Sequence, residues 1–171
     1  DSLSNIQELF NPAYRISADS IRQIIRVYLK DNKQATVWDS ALVSHYQKEG
    51  DFLWLNDSLV SDKPTVQAAD SMLYWLENIS RHGINPNLYS ADSIRSGLQQ
   101  IRTLQLQDGK TMNSLLADLE YQLTTAYLSY VCRLKFGFLP PERRWNDSID
   151  RIPLKRCDMK FALSALDSLR A

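Results

Sequence analysis

The sequence is poor in the residues that make tight turns, since only five of its 171 residues are Gly and six are Pro. A sandwich or barrel built from many short strands needs more turn residues than this. The hydrophobic content of 44% is enough to bury a sizeable core. Leu, Ala, Gln and Arg are frequent, so the composition favours an all-α fold forming a single domain over residues 1–171.

The sequence also lacks an excess of either charge, because 20 Lys and Arg residues balance 20 Asp and Glu residues. Its net charge therefore indicates neither nucleic acid nor an anionic membrane as a partner. No apolar run reaches the roughly 18 residues of a transmembrane helix, and residues 1–10 do not resemble a signal peptide. The chain begins at Asp1 without an initiator Met, which is consistent with a mature or trimmed chain whose targeting segment has been removed.

Metal ligands and nucleophiles are scarce, with two Cys and two His in the whole sequence. Cys132 and Cys157 are too far apart for a CxxC motif, and the sequence alone does not establish whether they pair. Cys132 lies among large apolar residues and is interpreted as an inert core thiol, and Cys157 as a bystander. His45 and His82 are interpreted as structural. No catalytic, cofactor-binding or metal-binding residue is assigned.

Apolar residues recur at helical spacing in about six segments. The predicted helices span approximately 17–30, 36–50, 64–83, 90–107, 111–136 and 158–171. Gly83 is a predicted helix stop and Asp158 a predicted N-cap, and the buried faces of the fourth and fifth helices are predicted to include Leu104 and Leu134. The helix near 111–136 is the longest and has apolar residues on two opposite sides, so we predict that it is central and packed on both flanks. Residues 51–62 contain an apolar run too short for a helix and are predicted to form an ordered loop with at most one short strand.

The hexapeptide Ser-Ala-Asp-Ser-Ile-Arg occurs twice, at residues 17–22 and 90–95. Each copy follows an Asn-Pro pair by a few residues. A duplicated structural unit is one interpretation, and a recurrent helix N-cap is the other. Because the flanking helices do not align, the recurrent N-cap is favoured, with Ser17 and Ser90 as capping residues.

Two charged residues lie on or beside the apolar face of the predicted central helix. Glu120 lies at the margin of that face, where a glycan-cleaving acid can have its pKa raised. A carboxylate in such a place more commonly accepts hydrogen bonds from a Tyr hydroxyl, an Arg or a backbone amide, so we predict a structural role. Arg133 lies within the same apolar stripe and needs a buried partner. An alternative is that the chain is itself an enzyme. This alternative requires Glu120 to lie in a solvent-reachable cleft near a second carboxylate.

Three segments, taken together, resemble a known family. They are residues 51–56 with Trp54-Leu55-Asn56, residues 75–89 with His82-Gly83-Ile84-Asn85-Pro86, and residues 119–138 with Phe136-Gly137-Phe138 at the end. They look like the N-terminal scaffold domain of large exported L,D-transpeptidases, the cysteine enzymes that cross-link peptidoglycan. The wording of the motifs is most similar to that of the domains from Gram-negative, Bacteroidetes-type bacteria. The similarity covers approximately residues 20–145.

The resemblance implies a helical, non-catalytic domain that carries a separate catalytic domain of the same polypeptide. The parent protein would be a bacterial transferase of cell wall biogenesis, located in the periplasm or cell envelope. The catalytic signatures of that family, His-Gly-Thr and Ser-x-Gly-Cys with a following Arg, do not occur in this sequence. No catalytic residue is therefore carried over. We expect residues 142–171 to begin the connection to a downstream domain, because the last periodic segment shows no stop signal.

A helical module that binds peptidoglycan or another protein without a catalytic partner is the alternative function. Exposed aromatic and Arg side chains hold ligands in such modules. The candidates for ligand or interdomain contact are Trp54, Tyr89, Arg143 and Trp145. Three of the four also have a structural interpretation, since Trp54 suits an aromatic anchor and the cluster at 143–145 suits a solvated loop.

Overall fold

A computed structural model describes residues 11–31, 36–48, 51–55, 67–137 and 156–170. Within these ranges it contains six α-helices and no strand, which confirms the predicted all-α class. The helices are α1 (Ala18–Asp31), α2 (Val37–Lys48), α3 (Gln67–Asn78), α4 (Ala91–Thr103), α5 (Met112–Phe136) and α6 (Met159–Arg170). Short 3-10 helices span Pro12–Tyr14, Ile79–His82 and Pro86–Tyr89. The helix start predicted at residue 64 lies outside the described residues.

Helix α5 is the central element, because each of the other five α-helices in the described ranges contacts it. Leu123 on one side of α5 and Leu128 on the other are both fully buried. The predicted packing on two flanks is thus confirmed. Leu134, predicted on the buried face, is 63% exposed instead. It lies in the last turn of α5, where the described neighbours no longer cover that side of the helix.

The helix ends follow local capping chemistry. At the start of α5, Thr111 and Ser114 exchange hydrogen bonds between side chain and backbone, which is a capping box. Thr36 Oγ1 accepts from the N–H of Asp39 at 3.2 Å and caps α2. Gly83 has a φ of 73° and closes the 3-10 helix that follows α3, so the predicted glycine stop is confirmed.

The two Asn-Pro pairs build the same local structure. The side chain of Asn11 accepts from the N–H of Ala13, and that of Asn85 accepts from the N–H of Asn87, both at 3.0 Å. A 3-10 helix begins at each Pro, and α1 and α4 then begin within the two hexapeptides. The residues in equivalent positions, Ile21 and Ile94, are both fully buried. The repeat is therefore a local unit of turn and helix start rather than a capping residue alone.

The expected Ser cap forms in only one copy. Ser17 Oγ accepts from the N–H of Ser20 at 3.3 Å. Ser90 has a φ of 57° and makes no capping hydrogen bond through its side chain, so the N-cap interpretation is wrong there. The segment between Asn85 and Ser90 is one residue shorter than its counterpart. The turn between the 3-10 helix and α4 is consequently tighter in this copy. The N–H of Ser90 donates to the carbonyl of Asn87 at 3.2 Å and thereby ends the 3-10 helix.

Helix α4 approaches α5 closely at Gly97. A Cβ atom at this position would lie 2.9 Å from Cδ2 of Leu119. The helix ends at Leu104, which has a φ of 52° and is 47% exposed. The prediction that Leu104 continues the buried face is therefore wrong. The left-handed turn directs its carbonyl to the hydroxyl of Tyr14, which donates at 2.9 Å.

Cys132 of α5 forms a disulfide with Cys157, and their Cα atoms are 5.6 Å apart. The pairing that the sequence left open is therefore present, and Cys132 is buried as expected but is not a thiol. The bond joins α5 to the segment that precedes α6. Asp158 then caps α6, as predicted, because its carboxylate accepts from the N–H of Phe161 at 2.8 Å. Within the described ranges, no helix is both long and apolar enough to span a membrane.

Candidate functional site

Glu120 of α5 is fully buried, and four donors point at its carboxylate. The hydroxyl of Tyr46 donates to Oε1 at 2.8 Å, and the N–H of Leu53 donates to the same oxygen at 2.6 Å. The N–H groups of Trp54 and Leu55 donate to Oε2 at 3.1 and 3.2 Å. One carboxylate thus holds three consecutive amides of residues 51–55 against the central helix. The predicted structural role of Glu120 is confirmed, with the Tyr hydroxyl and backbone amides as its partners.

Burial raises the pKa of Glu120, and the four hydrogen bonds act in the opposite direction. Burial also raises the pKa of Tyr46, and the nearby carboxylate charge adds to this effect. A general acid must reach its substrate, whereas Glu120 has no exposed surface. The hypothesis that Glu120 acts as a glycan-cleaving acid is therefore contradicted.

Trp54 is an anchor in the core. Its side chain is 6% exposed, and its indole N–H donates to Thr124 Oγ1 at 3.0 Å. The indole ring also meets Tyr127 edge to face, with the ring centres 6.1 Å apart. In the same region, His45 Nε2 lies 3.1 Å from the carbonyl oxygen of Asp51, which supports the structural role predicted for His45. The anchor interpretation of Trp54 is confirmed and the alternative of an exposed ring is wrong, because residues 51–55 fold against α5 and turn the indole inward.

Tyr89 is also buried, with 2% of its surface exposed. Its ring packs edge to face on Tyr130, and the guanidinium of Arg133 lies 5.6 Å from its ring centre. The same guanidinium lies 5.7 Å from the ring of Trp38, so the partner expected for Arg133 is a pair of aromatic faces. The other two predicted contact residues, Arg143 and Trp145, lie outside the described residues.

Of the three segments that resemble the family, the third contacts each of the other two. Glu120 of the third segment binds the backbone of the first, at residues 53–55. Tyr130 of the third segment packs on Tyr89 of the second. These residues therefore form one framework around α5. Sequence periodicity placed each segment on its own element but gave no information on which segments meet.

Two cavities beside α5 were not found from the sequence. The one against α4 has a volume of about 160 Å³, the one against residues 88–90 has a volume of about 130 Å³, and Gln122 of α5 lines both. Small side chains on α4, including Ser93, Ser96 and Gly97, leave space in the first cavity. Tyr89 lines the second. The spacing of Ser93, Gly97 and Gln100 on α4 was a usable signal for the first cavity, because residues three or four apart share a helix face.

The described ranges contain no group of three or more His, Cys, Asp or Glu side chains suited to a metal ion. A family model described as "Scaffold domain" matches residues 40–170, which is more than half of the chain. No curated protein and no solved structure matches the chain. The matched range includes the loop that binds Glu120, all of α5 and the disulfide.

Proposed function

The chain belongs to the scaffold domain family, and from this premise we propose that it is the non-catalytic scaffold of a periplasmic L,D-transpeptidase, which cross-links peptidoglycan in cell wall biogenesis. In this proposal a cysteine-dependent catalytic domain follows in the same polypeptide. The helices described above support that domain and fix its position. The observation that carries the proposal is the contact of the three family-like segments around α5.

The buried Glu120 contacts explain why such segments suit a scaffold. The carboxylate of Glu120 accepts from Tyr46 of α2 and from the backbone of residues 53–55. It therefore fixes α2 and this loop against α5. Breaking such a buried network is costly, so the arrangement resists deformation. A support for another domain needs this property, whereas a catalytic site needs groups that reach a substrate.

The disulfide between Cys132 and Cys157 supports an exported protein. Disulfides form and persist in oxidising compartments such as the bacterial periplasm, and they are rare in the cytosol. The bond also occupies both thiols of the sequence. A cysteine nucleophile for transpeptidation therefore has to come from another part of the polypeptide, as the proposal states.

The proposal is tested by removing the scaffold from the protein in its bacterium. The genomic segment that encodes residues 1–171 is deleted in frame, with the export signal and the remaining sequence retained. Digested cell walls are then analysed by liquid chromatography and mass spectrometry. We expect loss of the stem-peptide cross-links that the enzyme forms, with recovery when the wild-type gene is restored. An unchanged cross-link profile, or fractionation of the intact protein with the cytoplasm, would refute the proposal.

A further inference from the structure

A cleft opens where the end of α5 meets the first turns of α6. It has a volume of about 660 Å³, which is within the range of clefts that bind ligands. The rings of Phe136 and Phe161 line it and meet edge to face, with their centres 5.2 Å apart. Both residues are only half-buried. The cleft therefore offers a ligand an aromatic surface that the protein itself leaves partly open.

The cleft is also positively charged. Lys135, Arg156 and Lys160 line it, and Asp158 is the one acidic side chain among its described lining residues. The carboxylate of Asp158 already accepts from the N–H of Phe161 at 2.8 Å. The lining thus carries an excess of positive charge, although the whole chain has a net charge of zero.

The two lysines carry the inference, because their charges are not neutralised by a neighbouring carboxylate. Within the part of the chain that the structure describes, neither Lys135 nor Lys160 forms an ion pair, and both residues are exposed. The ammonium of Lys135 lies 4.4 Å from the ring centre of Phe161. This contact places a cation beside the aromatic surface, where it can still bind an anion. A matching ligand therefore has a carboxylate next to an apolar group.

Three classes of anionic partner differ in what they require of such a site. Nucleic acid requires an extended basic surface, and the net charge of this chain is zero. A membrane-surface site presents apolar side chains that enter the lipid, whereas Phe136 and Phe161 line a concave site. A protein segment with acidic residues on both sides of an aromatic residue supplies carboxylates to the lysines and a ring to the cleft. The cleft therefore favours an acidic protein segment.

We propose that the cleft between α5 and α6 binds a partner protein through an acidic segment that contains an aromatic residue. Carboxylates of the segment lie against Lys135 and Lys160, and its ring packs on Phe161. This interaction surface goes beyond the scaffold role and does not rest on it. The scaffold proposal is tested by cross-linking in cells, whereas the cleft is tested by peptide binding to the isolated chain, so the two failures are distinguishable.

The test is fluorescence anisotropy of a fluorescein-labelled peptide, Gly-Glu-Glu-Phe-Glu-Glu-Gly, titrated with the 171-residue chain at low ionic strength. We expect saturable binding with a dissociation constant of about 1 mM or below, which weakens as salt is added. One control peptide has Gln in place of each Glu, and another has Ala in place of Phe. Each is expected to bind at least about fivefold more weakly.

Lys135→Gln and Lys160→Gln each remove one positive charge from the cleft at an exposed position. We expect each variant to bind the peptide about fivefold more weakly, with the urea midpoint of the wild type. Lys30→Gln is the matched control, since Lys30 is exposed on α1 and does not line the cleft. It should bind the peptide like the wild type. Backbone amide shifts of the wild-type chain give a second measurement, with changes expected at Lys135, Lys160 and Ser164.

The site is overturned by no saturable binding at low salt, equal binding of the Gln peptide, wild-type affinity in both cleft variants, an equal loss in Lys30→Gln, or amide shifts confined to other helices. Three further results would identify a different ligand and overturn it as well. They are complete displacement of the peptide by inorganic phosphate, binding to vesicles of anionic phospholipid in place of the peptide, and tighter binding of a stem-type peptide that lacks an aromatic ring.

Discussion

The backbone N–H of Trp54 donates to Oε2 of Glu120 at 3.1 Å, and the two residues are 66 positions apart in the sequence. The adjacent amides of Leu53 and Leu55 donate to the same carboxylate. Residues 51–55 contain no helix or strand, so their amides have no regular ladder to join. Glu120 supplies acceptors for three of them, and the loop thereby becomes part of the core.

Glu120→Gln is expected to lower the free energy of unfolding by about 2–4 kcal/mol, because the amide nitrogen would face backbone donors in the buried site. Urea denaturation followed by circular dichroism measures the change. Glu77→Gln is the control, since Glu77 forms an exposed ion pair with Arg95 and solvent screening makes such pairs contribute little to stability. A loss in Glu120→Gln no larger than in the control would contradict the structural role of Glu120.

Reduction of the disulfide is expected to destabilise the protein. Cys132 and Cys157 are 25 positions apart, and closing a loop of this length contributes about 3 kcal/mol in the chain-entropy model. Dithiothreitol should therefore lower the melting temperature of the wild type by about 10 °C. The double variant Cys132→Ser with Cys157→Ser should melt at the reduced temperature and show no response to dithiothreitol. A response in that variant, or none in the wild type, would show that the bond does not stabilise the fold.

Gly97→Ala tests the close contact of α4 with α5. Ala is usually favoured over Gly inside a helix by about 1 kcal/mol. At this position the new Cβ would lie 2.9 Å from Leu119 Cδ2, so we expect destabilisation of about 1–2 kcal/mol instead. Gln99→Ala, at an exposed position of the same helix, should be neutral or slightly stabilising. A stabilised Gly97→Ala variant would show that the helices do not pack this closely.

Stability is expected to fall at alkaline pH. Burial and the neighbouring Asp118 raise the pKa of Tyr28, and burial raises the pKa of Tyr46. The unfolded chain releases these protons near pH 10, whereas the folded protein keeps them. Their contribution is therefore present below about pH 10 and is lost as the pH rises above it.

Urea unfolding at several pH values between neutral and strongly alkaline measures this loss. Tyr28→Phe should show a shallower decline than the wild type, because one perturbed proton is absent. Tyr74→Phe, at an exposed position, is the matched control and should follow the wild type. An equal decline in Tyr28→Phe and the wild type would rule out a contribution from Tyr28.

The elements that depend on local sequence were predictable. The periodicity of α3 and α5, the Asp158 cap and the Gly83 stop are set by residues within a few positions of each other. Ser90 shows the limit of this reasoning, because the same hexapeptide follows linkers of two different lengths. One residue fewer before Ser90 changed its backbone conformation and removed the cap.

Long-range pairings were not predictable from periodicity. Glu120 was expected to have a buried partner, but nothing in the sequence identified residues 53–55 as that partner. The disulfide forms because α6 packs against α5, and periodicity does not reveal such a tertiary contact. The burial of Trp54 and Tyr89 follows from tertiary contacts of this kind, so periodicity could not decide between the anchor and the exposed interpretation of Trp54, and the exposure expected for Tyr89 was wrong.

The most direct measurement of the scaffold proposal is the sequence of the complete transcript that encodes the chain. If the proposal holds, we expect an export signal upstream of residue 1 and, downstream of residue 171, a domain with His-Gly-Thr and Ser-x-Gly-Cys followed by Arg. A transcript that encodes no cysteine transpeptidase domain in the same reading frame would contradict it.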